Sequence, residues 1–107
     1  MSDSELCPKF EKGMQLLSKR WNGFIIYQLL CGPQRFGEIQ SALPISGRLL
    51  SERLKDLEEE GIVTREVFPE VPVRVEYALT EKGRALESII RGLETWSEAW
   101  VGLEQNQ

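Results

Sequence analysis

The chain contains no histidine and only two cysteines, Cys7 and Cys31. The first absence removes the commonest general base and the commonest transition-metal ligand. Two cysteines this far apart make neither a disulfide framework nor a zinc-ligand spacing, and they suit a reducing, cytoplasmic setting. Serines and carboxylates are plentiful, yet none falls in a nucleophile elbow, a phosphate loop or a metal-binding pattern. Enzymatic chemistry is therefore not expected, and neither a metal nor a cofactor is called for. No apolar run approaches the length of a membrane span, and residues 1–5 are too polar and acidic for a signal peptide.

What remains is an ordinary globular composition, 41% hydrophobic and 28% charged, over 107 residues, enough for one domain spanning 1–107 with a single modest core. Its most informative stretch is residues 68–80. Pro69 and Pro72 bracket a tight connection, after which Val73, Val75, Tyr77 and Leu79 alternate with Arg74, Glu76 and Ala78. Period-two alternation predicts a half-buried strand, and the prolines predict an exposed hairpin tip. The β-branched run 62–68 supplies the partner strand.

Helical spacing accounts for the rest. Leu6, Phe10, Met14 and Leu17 predict a first helix over about 8–18, with Pro8 in its first turn. Phe24, Ile25, Ile26, Leu29 and Leu30 predict a central core helix over about 21–31, stopped by Gly32-Pro33. A short third helix over about 36–43 ends at Pro44, and Ser46 caps a fourth over about 47–60 that closes at Gly61. These two form a helix-turn-helix. After the hairpin, Thr80 caps a single last helix from about 81 towards 103. The expected fold is mainly α with a small β-hairpin: a winged helix-turn-helix of about five helices and a two- or three-stranded antiparallel wing.

That layout makes duplex DNA the expected partner. The net charge of −4 opposes it globally, but residues 34–55 hold Arg35, Arg48, Arg53 and Lys55 against only Glu38 and Glu52. An acidic body also repels non-specific DNA, which favours selective binding. Leu50, Leu54 and Leu57 set the inner face of the fourth helix, so Arg48, Ser51, Glu52 and Lys55 lie on the outer one. Its first turns are the candidate reader of a major groove, with Arg48 suited to guanine, Glu52 to cytosine and Ser51 to a base or phosphate. The helix amino end at Ser46 and Gly47 suits a phosphate. The alternative for Arg48 is a plain i,i+4 pair with Glu52. Arg74, placed at the base of the wing, suits a minor groove or its phosphates, or else a cross-strand pair with Glu66 or Glu76. Gln34 and Arg35 can clamp an adjacent phosphate; Lys19 and Arg20 are weaker candidates.

Leu86, Ile89, Leu93, Trp96, Trp100 and Leu103 follow spacings of three and four, a heptad seam that one helix cannot bury alone. The covering surface is either the chain's own first helix or a second copy. The second copy is the expected one, with the terminal helices, about 6–18 and 81–103, as the homodimer interface, completed by Leu6, Phe10 and Met14. Cys7 precedes Pro8 at a helix start, with Lys9 and Lys12 close by, a setting that makes a thiol more reactive; a plain surface or packing cysteine is the default reading, and a sensing role the alternative. Cys31 closes an apolar helix and reads as an inert core residue.

Taken together, Cys7-Pro8, Lys19-Arg20-Trp21, Gly32-Pro33-Gln34-Arg35-Phe36 with Glu38-Ile39, and Ile45-Ser46 before Leu49-Leu50 resemble the HxlR-type transcriptional regulators. So do the run from Arg53 to Val63, the wing segment, and Leu79-Thr80-Glu81-Lys82-Gly83. The likeness spans about residues 7–100. It implies a compact, homodimeric, MarR-related winged helix that represses or activates nearby genes from a palindromic operator. It also implies that Cys7 senses electrophiles, quinones or oxidants. Two departures stand out: Val73 replaces a proline common in the family, and residues 103–107 carry no cysteine. A disulfide between the amino end of one subunit and the carboxyl end of the other is thus unavailable. Cys7 is left with alkylation, a mixed disulfide, or pairing with Cys31 or with the second copy's Cys7. Two rival readings are a winged helix that docks on protein alone, and a regulator with an effector pocket at the dimer interface.

Overall fold

A computed structural model describes residues 7–103. Helix α1, Pro8–Ser18, begins where Pro8 fills the first helical turn and extended Cys7 stands at the cap position. None of its residues is buried; Leu16 and Leu17 lean on the core while Phe10 and Met14 face outward. Helix α2, Asn22–Leu29, is the centre of the molecule, with Ile25, Ile26 and Leu29 fully buried. It is shorter at both ends than its apolar run predicts. Trp21 is not helical but takes a left-handed conformation, φ 82°, at the cap, and Gly32 has φ 136° in the exit turn. Cys31 therefore lies two residues beyond the helix and is exposed, not a core residue.

Helices α3, Phe36–Ala42, and α4, Gly47–Glu59, form the helix-turn-helix. The Ser46 hydroxyl accepts the Leu49 N–H at 3.1 Å, which satisfies one orphan donor of α4. Leu50, Leu54 and Leu57 are buried in one cluster with the α2 residues and Ile39 of α3. Gly61, φ 76°, turns the chain out of α4 into the hairpin. Strands β1, Val63–Phe68, and β2, Arg74–Leu79, pair antiparallel from Val63↔Leu79 to Phe68↔Arg74. Gln34 adds a short third edge, exchanging backbone hydrogen bonds of 2.9 and 2.8 Å with Tyr77. The alternation is less crisp than expected: Val73 lies outside β2, and along β2 only Leu79 is buried. Val63 and Leu79 at the root of the ribbon are part of the core, and Tyr77 packs against it.

The expected single last helix is two. Thr80 caps α5, Glu81–Arg84, its hydroxyl accepting the Gly83 N–H at 3.0 Å. Ala85 and Leu86, with ψ of −15° and −6°, then turn the chain into α6, Glu87–Trp100, and Val101 is already extended. The heptad spacing runs through this corner because Ala85 and Leu86 keep right-handed helical conformations. Thr80 Oγ1 also donates to the carbonyl of Gly61, and Lys82 Nζ to that of Glu60 at 2.7 Å. The corner is thereby clasped to the end of α4. Buried Gly83 sits so close to Ile62 that a Cβ there would collide with the Ile62 carbonyl oxygen. Overpacking of this kind costs about 1–3 kcal/mol. Gly83→Ala is therefore expected to lower the thermal midpoint of unfolding, and an unchanged midpoint would contradict the clasp.

Candidate nucleic-acid interface

With the leucine stripe of α4 buried, the opposite face is presented to solvent. The Arg48 side chain is 92% exposed, and its Nε lies 3.7 Å from Glu52 Oε2. So long and exposed an ion pair contributes little, and a phosphate or base edge can replace it. Ser51 and Lys55 are exposed on the same face. Ser46 is engaged in capping, and Gly47 lies where an added Cβ would come 3.2 Å from Gln40 Nε2, so α3 and α4 approach closely there. Arg35 is exposed at the start of α3, its N–H bonded to Glu38 Oε1 at 2.7 Å. Gln34 is a sheet-edge residue whose Oε1 accepts from Gln28 Nε2 at 3.3 Å.

Other cations turn inward or pair. Arg53 is only 16% exposed and donates from Nε to the Arg20 carbonyl at 3.0 Å. It belongs to the seam between α4 and the α1–α2 turn, although it counts among the cations of residues 34–55. Lys19 meets Asp56 at 2.9 Å, and Arg20 lies over the Trp21 ring, 4.8 Å from its centre. Arg74 stands at the mouth of the wing opposite Phe68, not at its base. Both oxygens of Glu70 accept from it, at 3.3 and 2.7 Å, and Glu76 accepts from Nη1. Its guanidinium also stacks 3.9 Å from the Phe68 ring centre. Donating hydrogen bonds to Glu70 and then to Glu76 raises the Arg74 pKa above its usual value, and accepting from Arg74 lowers the Glu70 pKa. Glu66, the other partner weighed, faces Glu76 across the ladder. Sequence reasoning missed Arg65, exposed on β1 and without an ion pair among the described residues. Its signal was available: residues 63–79 hold only two arginines and no lysine.

A second surface is apolar. Ile89, Leu93, Trp96 and Trp100 of α6 are exposed, Trp100 at 76%, as are Leu103, Phe10 and Met14; Leu86 alone of the seam packs on the core. Leu6 lies outside the described residues. Tyr27 donates to Glu94 Oε2 at 2.7 Å and so ties α6 to α2, a bond that raises the phenol pKa. Beside it a groove of about 480 Å³ is lined by Trp21, Phe24, Tyr27, Ile90 and Leu93. Cys7 and Cys31 are both free and exposed. Among the described residues no helix is long and apolar enough to cross a membrane.

The HxlR-like helix-turn-helix family matches residues 16–105. YvaP of Bacillus subtilis (strain 168), by name an HTH-type transcriptional regulator, is 57% identical over 102 residues, 94% of each chain. YodB of the same organism, also an HTH-type transcriptional regulator, is 51% identical over 94 residues, 87% of this chain and 84% of YodB. Solved in its reduced form, YodB superposes with a TM-score of 0.81 at 49% identity, covering 91% of this chain and 96% of its own. Diamide-treated YodB matches at 0.76 (48% identity, 92% and 98% covered) and quinone-bound YodB at 0.77 (46%, 89% and 100%). The redox regulator HypR in its oxidised form gives 0.84 at 39% identity, covering 91% of this chain and all of its own.

The inward placement of Arg53 has a direct test. A hydrogen bond from a charged donor contributes about 1.5–3 kcal/mol. Arg53→Met is expected to lower stability by that order in denaturant unfolding while leaving the salt dependence of DNA binding unchanged. A shallower salt slope at wild-type stability would put Arg53 on DNA instead.

Proposed function

The chain belongs to the HxlR-like helix-turn-helix family and is a DNA-binding transcriptional regulator, and from that premise we propose that it reads a short palindromic operator as a homodimer. Each α4 enters a major groove, and a two-fold dimer sets its half-sites about one helical turn apart. The observation that carries this reading is the outward face of α4, where Arg48 is held only by its long pair with Glu52. In the proposed complex Arg48 bonds a guanine edge, Ser51, Glu52 and Lys55 flank it, and Arg35, Gln34 and the capped end at Ser46 and Gly47 meet phosphate. The exposed seam of α6, with Phe10 and Met14 of α1, supports the dimer. The cytoplasm is the proposed location, and no catalytic role is proposed.

The second half of the proposal concerns Cys7. YodB has been solved with quinone bound and after diamide treatment, and HypR is a redox regulator. Here Cys7 is an exposed thiol at the cap of α1, the helix that also carries Phe10 and Met14 of the dimer face. Its thiolate adds to a quinone ring carbon, forming a C–S bond, and one carbonyl oxygen takes a proton from solvent. The hydrogen of the attacked carbon passes as a proton to the other oxygen as the ring rearomatises. The product is a hydroquinone thioether, so no further oxidant is needed. The aromatic groove between α2 and α6 favours a companion reading, in which a flat effector seats beside the same interface. Docking on protein alone is set aside by family membership.

Three outcomes follow from these roles. Arg48→Ala is expected to lower preference for the operator over random duplex by about 1–3 kcal/mol, read by fluorescence anisotropy, with random binding nearly unchanged. Equal losses on both duplexes would contradict the assignment. Leu93→Glu places a charge in the seam, so sedimentation should show monomers and operator affinity should collapse; a dimer of wild-type affinity would remove α6 from the interface. Benzoquinone should release the wild-type protein from DNA and spare Cys7→Ser, and release of both would place the sensor elsewhere.

A further inference from the structure

The wing carries an arginine, yet its chemistry is already spent. Phe68 and Arg74 are cross-strand partners, and Glu76 lies two residues on, so all three share one face of the ribbon. The Arg74 fork grips both oxygens of Glu70 in the tip, reaches Glu76 in the strand, and stacks on Phe68; its side chain is 23% exposed. A phosphate would have to displace two carboxylates and an aromatic face, and would then meet both carboxylates unneutralised. Residues 63–79 hold Arg65 and Arg74 against Glu66, Glu70 and Glu76, so the hairpin is net negative even before any contact.

We propose that Arg74 is a positioning residue that fastens the tip, 69–73, back onto β2, and that the wing offers phosphate a different cation, Arg65. The inference rests on the duplex reading above. A bidentate fork is not reproduced by lysine, whereas a phosphate accepts either cation. The two roles for Arg74 therefore separate on a charge-preserving change.

The test titrates the dimeric protein with duplex from upstream of its own gene while following amide and arginine Nε–H resonances, those of Arg74 and Arg65 assigned by their absence in R74K and R65K. The expected result is that the α4 amides and Arg65 Nε–H shift while Arg74 Nε–H stays where it is in the free protein. R74K should bind the duplex about tenfold more weakly with the same salt slope, and R65A should reduce that slope by about one. A duplex-dependent shift of Arg74 Nε–H, or wild-type affinity in R74K, would overturn the inference and make Arg74 a contact. No shift in α4 or the wing would sink the duplex reading itself, and this inference with it.

Discussion

Burial of Leu50, Leu54 and Leu57 decides what α4 can do. Burying a leucine fully contributes about 1.5–3 kcal/mol, so three of them outweigh any surface pairing on the opposite side of the helix. Rotating α4 to hide Arg48 would forfeit a large part of the roughly 5–15 kcal/mol that a domain of this size has in total. The leucines sit against Ile25, Ile26 and Leu29 of α2 and Ile39 of α3, and the Ser46 cap fixes where the helix begins. Arg48, Ser51 and Lys55 face outward as a consequence of that packing.

The same core sets the wing and the seam. Val63 and Leu79 anchor the root of the ribbon, and the Thr80 and Gly83 clasp turns the chain immediately afterwards into α5 and α6. Because only Leu86 and Ile90 of that segment pack inward, the remaining apolar residues of α6 are left on the surface. A fold this small divides its apolar residues between its own core and the exposed face of α6. Its net charge of −4 opposes duplex DNA globally, although most of its cations are exposed.

Features written as local grammar were legible in the residues. Pro8, Ser46, Gly61 and Thr80 mark real boundaries, and leucine spacing identifies the outer face of α4. Family membership was legible too, in motifs spread along nearly the whole chain. Features that depend on distant partners were not. Cys31 belongs to an apolar run, but α2 stops before reaching it. The break at Ala85 and Leu86 leaves a three-four spacing intact, so periodicity passes over it. Arg74 pairs with Glu70, a residue of the tip, which strand alternation cannot see. Arg53 shares its helix with Arg48 and Lys55, and only the Arg20 carbonyl on another segment draws it inward.

The most direct measurement is fluorescence anisotropy of the protein on duplex from upstream of its own gene, against random duplex, at two salt concentrations. A selective reader that works through the outward face of α4 binds the upstream duplex tightly, weakens as salt rises, and keeps its preference at both concentrations. Equal binding to the two duplexes at both salts would contradict it.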